Sequence, residues 1–320
     1  MFTHVFISPH FDDAVGSCAG AMRRLRASGC SVRTLTVFGG LERPPFSNVA
    51  SALHQAWGLE DVVVSRRSED EKACRTLDCS SSFLEFPDSI YRVDASGRHL
   101  YPTFESLSGR MDEVDRDLPA RIAERLDQVV PATNAVVYCP SAVGEHVDHV
   151  ITRRAVEMLP LERAPVIYYR DFYYDQFADG PPPPPKSQVV TVSLEPGEVA
   201  VKLSAFAAYA SQLKCLFGND KGLRHYFTTN GRVEEFFLPQ TLSPALRDEL
   251  LRTLRAKVVS GRWRTVVQAL TAPSRRRRAT AMLSKDGSPR NSPSTLVRRL
   301  ISHKIRLARS VMHRLSGKPQ

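Results

Sequence analysis

The sequence predicts an α/β fold, a parallel sheet with crossover helices, on three observations. Short β-branched runs alternate with longer helical stretches through the first 200 residues. The 320-residue chain, 42% hydrophobic and 24% charged, has the composition of an ordinary folded protein and is long enough for one large domain or two small ones. No run of about 18 consecutive apolar residues occurs, so no membrane span is expected.

The elements follow in order. Val5 to Ser8 is the first strand, and a short polar turn leads to a helix over Val15 to Ala27 that stops at Gly29. Val32 to Phe38 is the second strand, closed by Gly39 and Gly40. A charged helix over Ser68 to Leu77 leads to a short strand near Phe83 to Phe86. Pro119 to Val130 is helical with its proline in the first turn, where a missing N–H does no harm. Ala135 to Cys139 is a buried strand, followed by the loop SAVGEH, a helix over Val147 to Met158 and a strand over Pro165 to Tyr169. Five consecutive prolines, Pro181 to Pro185, are expected to form a rigid surface connection within the domain. Val189 to Leu194 is then a strand, Val199 to Leu213 a helix, and Pro244 to Val259 the last helix of the body, with Ser243 as N-cap.

The formal charge of +10 is unevenly placed. From Thr271 onward thirteen Lys or Arg stand against one acid, Asp286, so the tail carries +12 and the first 270 residues carry 10 − 12 = −2. An acidic partner is therefore a matter for the tail alone. Residues 271–293 read as a basic Pro/Ser-rich linker, too polar to bury a core. Residues 294–320 hold an expected basic amphipathic helix, with Val297, Ile301, Ile305, Ala308, Met312 and Leu315 three and four apart. Arginines around an aliphatic stripe fit an anionic membrane surface; nucleic acid fits less well, because no aromatics are interleaved for stacking. The N-terminus enters a strand-like run without a basic region or cleavage site, and Cys18, Cys30, Cys74, Cys79, Cys139 and Cys215 form no CxxC pair. Reduced thiols in a cytoplasmic protein are expected.

Two segments concentrate chemistry. The turn after the first strand reads Ser8-Pro9-His10-Phe11-Asp12-Asp13-Ala14. In an open parallel sheet ligands sit beyond the C-terminal ends of the strands, where this turn must lie. Capping of the next helix would account for one aspartate, but for neither His10 nor the second acid. The second segment, Gly144-Glu145-His146-Val147-Asp148-His149, also follows a buried strand, and His146 and His149 share a helix face. Both turns open onto one sheet edge, so their residues can converge. His10, Asp13 and His149 make a three-ligand set with a position left open for water, the arrangement of catalytic zinc. Asp12 is placed to take a proton from that water and His146 to donate one, with Asp148 orienting the His146 ring.

The segments SPHFDDAVGSCAG and GEHVDH resemble the PIG-L/LmbE-like N-acetylglucosaminyl deacetylases, whose signatures are a His-x-Asp-Asp turn after the first strand and a later His-x-Asp-His. The resemblance continues through VFGG, Trp57 to Leu59, RRSEDEKACRTL, LEFPDSIYR and YYRDFYY, roughly residues 3 to 240. It implies a Rossmann-like, mostly parallel sheet with helices on both faces and hydrolysis of an N-acyl amide, commonly the acetamide of an amino sugar, with zinc or another divalent metal. It puts the metal ligands on His10, Asp13 and His149, the general base on Asp12, the protonating histidine on His146 and the orienting aspartate on Asp148. Substrate-binding roles fall on Arg66, three residues before Glu69, and on Asp88. Phe11 and Ala14 depart from the Pro and Glu that many relatives carry, which puts substrate identity in doubt rather than the reaction. The segment Tyr91 to Ser106 is expected to be a loop over the site.

Two other readings compete. One is a non-catalytic scaffold whose tail binds membrane or another acidic partner; metal content separates it from the enzyme. The other, a dinucleotide binder, lacks GxGxxG in its first turn and puts two acids where a pyrophosphate would sit.

Overall fold

A computed structural model describes residues 2–160, 164–173 and 186–256. Seven strands form its sheet: β1 (Thr3–Ser8), β2 (Ser31–Thr36), β3 (Ser80–Phe83), β4 (Ala135–Pro140), β5 (Val166–Tyr169), β6 (Ser187–Ser193) and β7 (Val233–Pro239). The spatial order is β3-β2-β1-β4-β5-β7-β6. The first five pair in parallel, whereas β7 runs antiparallel to both β5 and β6. The chain winds outward from β1 through β3 and then returns to β4 on the other side of β1. Strand order therefore reverses between β1 and β4, and the crevice beyond their C-terminal ends is the place where such sheets bind ligands.

Period-two alternation divides the central strands between two cores. Phe6 of β1 and Val136 and Tyr138 of β4 face one core, while Val5, Ile7, Val137 and Cys139 face the other. The first is covered by α1 (Asp13–Ala27), α3 (Val62–Thr76), α6 (Pro196–Phe206), α8 (Asp220–Thr229) and α9 (Pro244–Arg255). The second is covered by α4 (Leu118–Val129) and α5 (Val147–Glu157). No helix of the described residues is long and apolar enough to cross a membrane. All six cysteines are free thiols, and only Cys215 is not fully buried.

Several expected boundaries move. The helix expected from Ser68 starts at Val62, with Val62 and Val63 buried. The strand expected at Phe83 to Phe86 lies upstream, where Ser80 to Phe83 pair with Arg33 to Thr36 of β2. The helix expected to run to Leu213 ends at Phe206; a turn α7 (Ala210–Gln212) and a π-helical turn (Leu213–Phe217) follow. Side chains of α3 cause the break, since Glu69 accepts hydrogen bonds from Ser211 N–H (2.9 Å) and its hydroxyl (2.6 Å), and Asp70 accepts from Tyr209 O–H at 2.6 Å. Helix α2 (Asn48–Trp57), α8 and β7 are additions to the predicted elements. The five prolines, the linker, the tail helix and the last residues of the final helix lie outside the described residues.

Candidate active site

Short loops carry both chemical segments to the strand ends. In the first, Ser8 Oγ accepts Ala14 N–H at 3.0 Å and the Asp13 carboxylate accepts His10 N–H at 2.8 Å, so the turn closes on itself. Asp12 stands at the N-cap of α1, yet its side chain makes no capping bond and is left for chemistry. In the second, Ala142 (φ 63°), Gly144 (φ 81°) and Glu145 (φ 54°) all adopt left-handed backbone. Two non-glycine residues in that region mark a strained loop, and such strain concentrates at functional sites.

All eight predicted site residues come together. His10, Asp12, Asp13, Arg66, Asp88 and His146 line one cavity, and Asp148 and His149 lie fully buried beside it. Asp13 Oδ2 is 3.2 Å from both His10 Nδ1 and His149 Nε2. Donors about 2.0–2.1 Å from a tetrahedral zinc sit about 3.4 Å apart, so the spacing of these atoms fits one small ion. A second set, His10, His146 and Asp148, has ligand atoms within 4.8 Å of one another, as does the first. It fits less well. Asp148 is already engaged by Arg92 Nη1 (2.7 Å), Ser89 N–H (2.9 Å) and His10 Nε2 (3.0 Å), and His146 Nδ1 accepts Asp148 N–H at 3.2 Å.

That last bond alters an expectation. Instead of orienting His146 through its carboxylate, Asp148 orients the ring through its backbone N–H, because His146 is the N-cap of α5. A backbone N–H can only donate, so the neutral His146 ring carries its proton on Nε2. The Asp148 carboxylate instead joins His10 to the buried Arg92, which also pairs with Asp115 at 2.8 Å.

Two residues absent from the sequence reading complete the cluster. Asp171 Oδ1 lies 2.6 Å from His149 Nδ1, and its other oxygen accepts from Ser141 O–H (2.8 Å) and Val143 N–H (3.1 Å). A carboxylate on Nδ1 turns the Nε2 lone pair of a metal-binding histidine toward the ion. Arg92 is the second. Neither stands in a short motif with the residue it supports, so spacing alone could not find them; both lie inside segments that carry the family resemblance, LEFPDSIYR and YYRDFYY.

Electrostatics favour positive charge at the centre. Burial alone would lower the His10 and His149 imidazolium pKa values. Asp88, Asp13 and Asp148 outweigh it for His10, which lies well above the ordinary value, and Asp13 and Asp171 push His149 up to about 9. Burial would raise Asp13, but His149 and His10 hold it well below the usual carboxylate range. Asp12 moves the other way, raised by burial and by Asp13.

Arg66 Nη2 lies 3.3 Å from Asp12 Oδ1, with its guanidinium 4.8 Å from the Trp57 ring centre and 5.2 Å from that of Phe11. Phe11, a departure from the family pattern, thus supports Arg66. Asp88 Oδ2 is 3.7 Å from His10 Nε2, and Oδ1 caps the turn that follows by accepting Ile90 N–H at 3.2 Å. The loop expected over the site, Tyr91 to Ser106, contributes no residue to the cavity lining; its flanks do, with Ile90 and Leu107 lining the cavity and Ser108 bridging to His146.

The chain has relatives among known proteins. Residues 5–159 match the PIG-L family model, described as GlcNAc-PI de-N-acetylase. The chain is 30% identical over 264 residues to a 2'-N-acetylparomamine deacetylase from Niallia circulans, covering 76% of this chain and 93% of that protein. A deacetylase from the biosynthesis pathway of teicoplanin superposes with TM-score 0.64 at 30% identity, covering 73% of this chain and 96% of its own. Teicoplanin deacetylase in a zinc-inhibited form gives TM-score 0.63 at 30% identity, with 73% and 97% covered. With two separated motifs on one sheet edge and relatives matched over three quarters of its length, the chain belongs to the PIG-L (LmbE-like) deacetylase family.

Proposed function

We propose that the protein is a zinc-dependent hydrolase that removes an N-acyl group, acetyl in the first instance, from an amino sugar or amino-sugar conjugate. The observation that carries this reading is the triangle of His10, Asp13 and His149 donors, backed by Asp171, with Asp12 lining the same cavity. Bound there, a divalent cation supplies Lewis acidity, which makes water acidic near neutral pH and polarises an amide carbonyl. Asp12 takes the proton of the attacking water; a carboxylate raised by burial and by Asp13 is a stronger base than an exposed one. Arg66, 3.3 Å away and stacked on Trp57 and Phe11, fixes the direction of that carboxylate and stands at the cavity wall for substrate. His146 presents Nε2–H to the carbonyl oxygen as negative charge develops, and the proton taken up by Asp12 is passed on to the departing nitrogen. Asp88, on the same wall, is placed to receive sugar hydroxyls.

The test pairs metal content with turnover. His149→Ala or Asp13→Ala should lose the single bound metal in elemental analysis, because a three-ligand site cannot spare one. Asp12→Asn should keep it and lower kcat for acetate release by at least about 100-fold. Full metal in the first pair, or full turnover in the second, contradicts the assignment.

The +12 tail adds a further element to this reading, peripheral contact with an anionic membrane in the cytoplasm. The concentration of charge beyond residue 270, against −2 in the body, supports it.

A further inference from the structure

The catalytic cavity, about 140 Å³, has two unlike ends. Its inner end is ionic, as described above. Its outer wall is apolar: Leu53 and Trp57 from α2, Leu216 from the π-helical turn, Tyr173 after β5, and the more deeply buried Leu107 and Phe172. Leu53, Trp57, Tyr173 and Leu216 are each only half-buried. Single half-exposed apolar side chains are ordinary on any surface, but here four converge on one opening. The wall is also fixed. Tyr173 O–H donates to Leu216 C=O at 3.0 Å, and Trp57 is held by the Arg66 guanidinium 4.8 Å from its ring centre.

Charge narrows what this wall can take. Among the described lining residues Arg66 is the only lysine or arginine, and it is paired with Asp12. The lining carboxylates, Asp12, Asp13 and Asp88, all stand at the ionic end with His10 and Arg66. Among the described residues of the outer wall a polycationic aminoglycoside would find no carboxylate, and a bare polyol would find little beyond Gln212, whose amide already donates to Ser211 Oγ at 3.1 Å. We infer that the substrate carries an apolar group, alkyl or aryl, next to its amide-bearing sugar, and that Leu53, Trp57, Tyr173 and Leu216 receive it. The inference rests on the deacetylase reading and narrows its substrate class. Burial of that group displaces water from apolar surface the free enzyme leaves exposed, which is a gain in binding with no new polar contact.

The experiment uses the full-length holoenzyme with the methyl, phenyl and octyl glycosides of N-acetylglucosamine, the N-octanoyl analogue of the methyl glycoside, and 2'-N-acetylparomamine. Acid release gives kcat/KM, and calorimetry below the micellar concentration gives Kd. At least one apolar compound should exceed the N-acetyl methyl glycoside about 10-fold or more in both measures. The octyl and N-octanoyl arms tell whether the group sits on the sugar or in the acyl chain. Leu53→Ser and Leu216→Ser, at half-exposed positions, should bring the ratio of apolar to methyl compound toward one. Equal values for all the glycosides, preference for 2'-N-acetylparomamine, or a ratio untouched by both variants overturns the inference. Tight binding of an apolar compound without acid release from any sugar supports the apolar wall and removes the deacetylase reading instead.

Discussion

Asp12 and Asp13 are neighbours in the chain, yet their surroundings push their carboxyls in opposite directions. Such a pair divides labour: the depressed acid stays ionised as a ligand, and the raised one exchanges a proton. Asp171 extends the arrangement by one layer, and Asp171→Asn should weaken metal binding about 10- to 100-fold in a chelator competition, since an amide no longer favours the required His149 tautomer. An unchanged metal Kd would remove Asp171 from the site. Asp70 offers a test through pH. Burial outweighs its bond from Tyr209 O–H and raises its pKa from 3.8 to about 8. Between those values the folded chain holds a proton that the unfolded chain has released, so this group's contribution to stability is lost as pH rises from about 4 to 8, by at most about 1.4 kcal/mol per unit. Asp70→Asn keeps an acceptor for Tyr209 and removes the slope; its gain in Tm over the native chain should be largest at pH 8 and vanish near pH 4. Six of the eight predicted residues that meet at the cavity were legible because they fall within two short segments whose spacing is itself chemical, and Arg66 and Asp88 only through the resemblance. Asp171 was not, because its partner His149 is 22 residues away and the two meet only when β5 is laid beside β4.

Elements with one strong signal were legible at nearly correct bounds, β1, α1, β4 and α5 among them. Those whose residues serve tertiary bonds were not. Strand β7 carries Glu234 and Glu235 where an apolar run would be read, and Glu234 is 2% exposed. Its carboxylate accepts Gly20 and Ala21 N–H, both at 2.8 Å, and pairs with Lys202 Nζ at 2.8 Å; Lys202 also donates to Ser17 C=O at 3.3 Å. This ion pair ties α1, α6 and β7 together, and the helix approaches closely at Gly20, where a Cβ would lie 2.3 Å from a Leu194 methyl and require that side chain to move. Removing one member strands the other charge in the core. Lys202→Met should therefore lower the unfolding free energy by about 3 kcal/mol or more in denaturant titration. A loss under about 1 kcal/mol would mean that the two N–H groups alone suffice to hold Glu234.

For the whole molecule, charge and catalysis are separable along the chain. Every residue assigned to metal binding or proton transfer lies at or before Asp171, the cavity wall ends at Leu216, and α9, ending at Arg255, still packs Leu250 and Leu254 into the core of the sheet. The excess of +12 begins only at Thr271. A basic residue near an anionic lipid surface contributes about 1 kcal/mol, so even five of the thirteen would hold the protein there reversibly at physiological salt. Screening shortens the reach of each charge, so the association should weaken steeply as salt is raised. Truncation after Leu270 leaves a body of net charge −2, which anionic vesicles repel. The truncated protein should keep the Tm and the kcat/KM of the full chain on a soluble substrate, and should fail to sediment with vesicles containing phosphatidylserine. Equal sedimentation of the two proteins would show that the tail is no membrane anchor. Loss of Tm on truncation would show instead that residues beyond 270 belong to the folded body.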